Sequence, residues 1–137
     1  MKLTELHVNG FGVWHDLRLR DLSPEITVLY GPNEAGKTTL MHFLRGMLYG
    51  VTPERRERYL PPRNGGRPGG SLGLLTDEGS FDAERYVERG EDDLGRVLVT
   101  LPDGEQQGDR LLRDALESID ERTYCNVFAI GLDEINE

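Results

Sequence analysis

The sequence predicts a mixed α/β fold, and three stretches carry that expectation. Val13, His15, Leu17 and Leu19 alternate with Trp14, Asp16, Arg18 and Arg20. A clean period of two marks a half-exposed antiparallel strand. Ile26-Thr27-Val28-Leu29-Tyr30 is nearly continuous apolar and β-branched sequence. Such a run suits a central strand buried on both faces. Leu40, Leu44, Met47 and Leu48 recur at helical spacing, and Met41 and Phe43 widen the stripe.

The remaining elements follow in order. Leu3 to Asn9 reads as a strand with Leu6 and Val8 on one face, and Gly10-Phe11-Gly12 as the turn after it. Ser23-Pro24 breaks the second strand. Gly50 suits a helix C-terminal cap. Residues 51–71 are rich in Pro, Gly and Arg and carry no period, so they read as a long exposed loop. Leu72–Thr76 and Phe81–Val87 flank Asp77-Glu78-Gly79, a hairpin signal. Glu91-Asp92-Asp93 reads as a solvated bend, and Arg96–Leu101 as a strand closed by Pro102-Asp103-Gly104. Asp109 is placed to cap a helix with the stripe Leu111, Leu112, Ala115, Leu116 and Ile119. Asp120 is placed to cap a second, carrying Tyr124, Val127 and Phe128.

Composition bounds the function. A chain of 137 residues makes about one domain. Its formal charge of −9 argues against a surface that binds nucleic acid all over. The charge is uneven: residues 1–68 hold 10 Lys/Arg against 7 Asp/Glu, and residues 69–137 hold 6 against 18. An anion site is therefore expected in the first half. No apolar run approaches the roughly 18 residues that span a bilayer, and Met1 leads into a polar segment unlike a signal peptide. The single cysteine, Cys125, excludes an internal disulfide. A soluble cytoplasmic domain is the expectation.

Between the apolar run and the helix lies Gly31-Pro32-Asn33-Glu34-Ala35-Gly36-Lys37-Thr38, which matches G-x-x-x-x-G-K-[ST]. Glycines let the backbone turn successive N–H groups onto phosphate oxygens. The helix starting near Lys37 aims its positive dipole end at the same anion. Lys37 supplies a point charge for the β and γ phosphates, and the Thr38 hydroxyl is placed to ligate Mg²⁺. A chance match in such a chain is on the order of a few in a thousand. Lys2 and Lys37 are the only lysines, and neither sits in the Asn-Lys-x-Asp type of segment that reads guanine, so ATP is the expected nucleotide.

Two antiparallel strands before the loop and hairpins after the helix are unlike a small-molecule kinase. The arrangement resembles the first lobe of an ABC-type ATPase head of the SMC, SbcC and RecF class. Leu3-Thr4-Glu5-Leu6-His7-Val8-Asn9-Gly10-Phe11-Gly12 is similar to that class's first strand and turn. Gly31 to Leu40, through Thr39, is its style of P-loop, with Asn33 and Glu34 typical. Gly69-Gly70-Ser71-Leu72, Glu84-Arg85 and Asn126 to Glu134 resemble segments of the YhaN-like family of bacterial DNA-repair and chromosome-segregation ATPases. The likeness covers essentially the whole chain.

The resemblance implies the N-terminal half of a head. In the family a coiled coil follows, and a returning C-terminal lobe brings the signature motif, the Mg²⁺-polarising aspartate and the catalytic glutamate. Two heads then sandwich two ATPs, and DNA is met by the complete assembly. The chain alone is expected to bind nucleotide weakly and hydrolyse it hardly at all. Two departures stand out. Gly12-Val13 occupy the place where SbcC-like proteins often carry Arg-Ser, which leaves Phe11 or Trp14 to pack either on adenine or in the core. Asn136 stands near the place of a Mg²⁺-side glutamine.

Ala129-Ile130-Gly131-Leu132-Asp133-Glu134 also mimics a Walker B motif. On that alternative Asp133 holds the Mg²⁺ water and Glu134 activates the attacking water, in a compact ATPase. Against it, Gly131 interrupts what should be a continuous central strand. A third alternative makes both residues surface charges at the start of a coiled coil, and a fourth makes the whole chain a non-catalytic interaction module. Arg55, Arg56, Arg58, Arg63 and Arg67 suit either a DNA-backbone contact or a solvated loop. His7, His15 and His42 show no metal-ligand spacing with Cys125.

Overall fold

The computed structural model describes residues 1–32, 36–87, 95–116 and 119–123. The expected bend at Glu91-Asp92-Asp93, the helical residues Tyr124, Val127 and Phe128, and Cys125 lie outside them. Six strands form one antiparallel sheet: β1 (Lys2–Phe11), β2 (Trp14–Leu19), β3 (Gly69–Thr76), β4 (Gly79–Tyr86), β5 (Arg96–Thr100) and β6 (Gln106–Gln107). Their order is β2-β1-β3-β4-β5-β6. The helices are α1 (Lys37–Tyr49), α2 (Pro53–Tyr59), α3 (Arg110–Ala115) and the short α4 (Glu121–Thr123).

The period of two becomes rows across the sheet. Leu19, Leu6, Leu72, Ala83 and Val99 are successive cross-strand partners, and the last four are buried. One residue along, Arg18, His7, Ser71, Glu84 and Leu98 form the opposite face. A register shift between Leu3 and Glu5 inserts an extra residue in β1. It returns Leu3 to the core face, as a bulge does.

Helix α1 lies on that core face with Leu40, Phe43, Met47 and Leu48 buried. At Gly70 a Cβ would come within 2.0 Å of the His7 carbonyl oxygen and 2.9 Å of Phe43 Cζ. Glycine there lets the helix and two strands meet. The helix ends as its sequence foretells, with the Gly50 N–H bonded to the Gly46 carbonyl. No basic residue stands in its last turn. Arg85, buried on β4, supplies the positive charge instead, donating from Nε to the Met47 carbonyl at 3.1 Å. Its Nη1 reaches the Gly95 carbonyl at 2.9 Å.

Three local expectations are corrected. Residues 51–71 are not all loop, because α2 occupies Pro53–Tyr59. Thr52 caps it, accepting from the Arg55 N–H, with Pro at the first turn. Asp109 precedes α3 but makes no side-chain cap bond, and instead lies 3.4 Å from Arg113 one turn on. Ile26–Tyr30 is not a strand. Among the described residues no strand pairs with it, and Ile26 and Tyr30 are 79% and 92% exposed. A doubly buried strand needs neighbours on both sides, and β2 is the terminal strand at this end of the sheet. The Asp120 cap holds: its carboxylate accepts the Thr123 N–H at 2.7 Å, which keeps the Asp120 carboxyl below its ordinary value.

Two stability predictions follow from the α1 contacts. Arg85→Met takes the guanidinium away from the buried Met47 carbonyl and the part-buried Gly95 carbonyl and is expected to cost about 2–4 kcal/mol in urea unfolding. Gly70→Ala forces β1, β3 and Phe43 apart, at an expected cost of about 1–3 kcal/mol or more by the same measurement.

Candidate nucleotide-phosphate site

The matched loop runs from Gly31 to Thr38; Asn33, Glu34 and Ala35 lie outside the described residues. Gly36 ends it at φ 87°, in the left-handed region, and stands at the N-cap of α1. Its carbonyl accepts the Leu40 N–H at 3.0 Å, the first turn of the helix. Lys37 folds back across the loop, and its Nζ donates to the Gly31 carbonyl at 2.6 Å. That contact holds the ammonium at the mouth of the loop. Lys37 and Thr38 are exposed, and Thr39 and Gly31 partly so.

The helix end is prepared for an anion. Among the described residues no side chain caps α1, and its first turn carries no carboxylate. Its leading N–H groups therefore keep their positive potential for a ligand. An exposed lysine and a threonine hydroxyl at the same end complete a donor set suited to polyphosphate with a divalent cation.

The hairpin turn between β1 and β2 braces this end. A Cβ on Gly12 would meet Thr39 Cγ2 at 2.6 Å. The Gly12 N–H bonds the Tyr59 carbonyl and its carbonyl accepts the Arg63 N–H, both at 2.9 Å. Asn64 Nδ2 donates to the Val13 carbonyl at 2.8 Å. Tyr59 stacks on Phe11 with centroids 4.8 Å apart, and Phe11 meets Phe43 edge-on at 5.5 Å. Phe11 is 1% exposed, so of the two roles open to it, core packing is the one it takes. Burial raises the Tyr59 phenol above its ordinary value, against the pull of Arg58, Arg55 and Arg45.

Trp14 behaves differently. It is half-buried, and its Nε1 donates to the Gly36 carbonyl at 3.0 Å. With Leu17, Leu19, Tyr30, Lys37 and Leu40 it lines an apolar cleft of about 270 Å³ beside the loop.

The arginines of 51–71 are largely engaged. Arg55 donates to the Gly50 carbonyl at 3.1 Å and pairs with Glu121. The Arg58 guanidinium lies 5.4 Å from the Tyr59 ring centroid, and that of Arg67 lies 4.0 Å from Tyr86. Among the described residues no group of three or more His, Cys, Asp or Glu gathers as for a metal. Asp133, Glu134 and Asn136 lie outside the described residues. Sequence reasoning missed the bracing segment 59–64; Thr52-Pro53, a cap followed by Pro, was the available signal for the helix that delivers it.

The AAA domain family model matches residues 1–137, the whole chain. The chain is also 32% identical, over 148 aligned positions, to the uncharacterized protein YhaN of Bacillus subtilis (strain 168). That alignment covers 100% of this chain and 15% of YhaN, so the chain spans about a seventh of its relative's length. A Gly-Lys-Thr loop at an uncapped helix end and these two likenesses agree. The chain belongs to the AAA domain family of P-loop NTPases and is YhaN-like along its whole length.

Proposed function

We propose that this chain is the ATP-binding N-terminal lobe of an ABC-type ATPase head of the SMC, SbcC and RecF class, serving DNA repair or chromosome segregation. The observation that carries the nucleotide reading is the N-terminus of α1, set directly after Gly36 with neither a side-chain cap nor a first-turn carboxylate among the described residues. Any resident side-chain anion would compete with phosphate there. The exposed run Ile26–Tyr30 supports the half-head reading. It has the composition of a central strand and stands beside β2 without a strand partner among the described residues. A returning C-terminal lobe of the same polypeptide would supply its missing neighbours.

The residues divide the work simply. Backbone N–H groups from Gly36 onward bind phosphate oxygens, and the α1 dipole adds to them. Lys37 exchanges the Gly31 carbonyl for the β and γ phosphates; the present 2.6 Å bond keeps it within reach of them. The Thr38 hydroxyl would hold Mg²⁺, which when bound offsets phosphate charge. Hydrolysis then rests on groups from the second lobe and from a second head, and DNA is engaged by that complete assembly. A lobe that binds ATP within a DNA-engaging assembly would work in the cytoplasm, where ATP and DNA are found together.

Titration of the chain with a fluorescent ATP analogue tests this. With Mg²⁺, saturable binding is expected, with at least a tenfold loss in Lys37→Ala. Ligand at one hundred times Kd should stabilise the parent chain by about 2.7 kcal/mol. No binding and no stabilisation would overturn the nucleotide reading in favour of an interaction module. Steady turnover by the chain alone, lost in Glu134→Ala, would overturn the half-head reading in favour of a compact ATPase.

A further inference from the structure

We propose that Trp14 is a positioning residue for the phosphate loop: its indole N–H sets the peptide plane that presents the Lys37 N–H to phosphate. This rests on the nucleotide reading above. The Gly36 carbonyl accepts twice, from Leu40 N and from Trp14 Nε1, each at 3.0 Å. A trans peptide is planar, with its C=O and N–H on opposite sides. A carbonyl held toward the helix and the indole therefore turns the following N–H, that of Lys37, the other way, away from the indole.

The ring also selects the residue it touches. A Cβ on Gly36 would lie 2.9 Å from both Cε2 and Cζ2 of Trp14 and 3.0 Å from Nε1. With φ at 87°, Gly36 thus sits in its left-handed conformation close against the Nε1–Cζ2 side of the indole. The backbone that carries the indole is itself held. Trp14 is the first residue of β2 and pairs with the buried Phe11 across the two-residue turn. That turn is pinned on α1 at Thr39 and on the chain at Tyr59, Arg63 and Asn64. The bracket runs from the core, through the hairpin, to one carbonyl of the loop.

A bracing role and a base-stacking role separate cleanly by ligand. The brace acts on phosphates, so Trp14→Phe should weaken Mg²⁺-ATP and Mg²⁺-tripolyphosphate by the same factor, about three- to tenfold. The ligand-free melting temperature should move little, because the phenyl ring keeps most of the packing. A loss confined to ATP, with tripolyphosphate unchanged, would overturn the brace in favour of adenine contact. Unchanged binding of both would overturn it outright. A second measurement needs no variant. Trp14 is the only tryptophan, so its indole N–H gives one resonance. Slow solvent exchange of that proton, retained with tripolyphosphate bound, is expected. Exchange at the rate of free indole would overturn the proposal. If the parent chain binds neither ligand, the nucleotide reading itself fails, and the indole exchange rate alone decides whether the latch exists.

Discussion

Phe43 is the contact on which the rest of the molecule turns. Its ring enters the sheet at Gly70, where no side chain stands in the way, and meets Phe11 edge-on. A helix seated this closely has little freedom to rotate or slide, because a packed interior admits few alternative arrangements. Phe11 continues the contact to Tyr59, and Tyr59 and Gly12 share a backbone bond. The position of the helix N-terminus therefore follows from an aromatic contact two turns away from it.

The two ends of that helix are treated oppositely, and the contrast explains much of the charge distribution. At the C-terminus the carbonyls are satisfied from within the fold, by Arg85 and by the Gly50 N–H. At the N-terminus nothing in the helix's own sequence neutralises the dipole. A helix with one satisfied and one open end is asymmetric in potential, and an anion gains most at the open end. The acidic excess lies in residues 69–137, away in sequence from this end. Part of the Arg content of 51–71 serves structure rather than ligand, as Arg55 shows by bonding Gly50 and Glu121.

The differences between the sequence reading and the structure have separate causes. Helix α2 escaped notice because its seven residues bury only Tyr59, so there is no stripe to detect. Its signature was local chemistry, the Thr52 cap and Pro53, rather than periodicity. Ile26–Tyr30 was misread for the reverse reason. Its side chains have strand character, but a strand exists only as a hydrogen-bonded partner of another, and none of the six described strands pairs with it. Strand β6, two residues long, carries no pattern at all.

The sequence by itself determined the phosphate-loop pattern and most of the sheet. The Gly-x-x-x-x-Gly-Lys-Thr spacing is local, and each residue type in it answers a requirement of phosphate geometry. The alternation in β1 to β5 is equally local, because a pleated strand sends successive side chains to opposite faces. Tertiary structure decided how the site is held. That Trp14 reaches the Gly36 carbonyl, that Phe11 is core, and that Tyr59 and Asn64 back the hairpin turn are contacts across 22, 32, 47 and 51 positions of chain. Residues so far apart meet only because the sheet register and the seat of α1 bring them together, and no local pattern records a register.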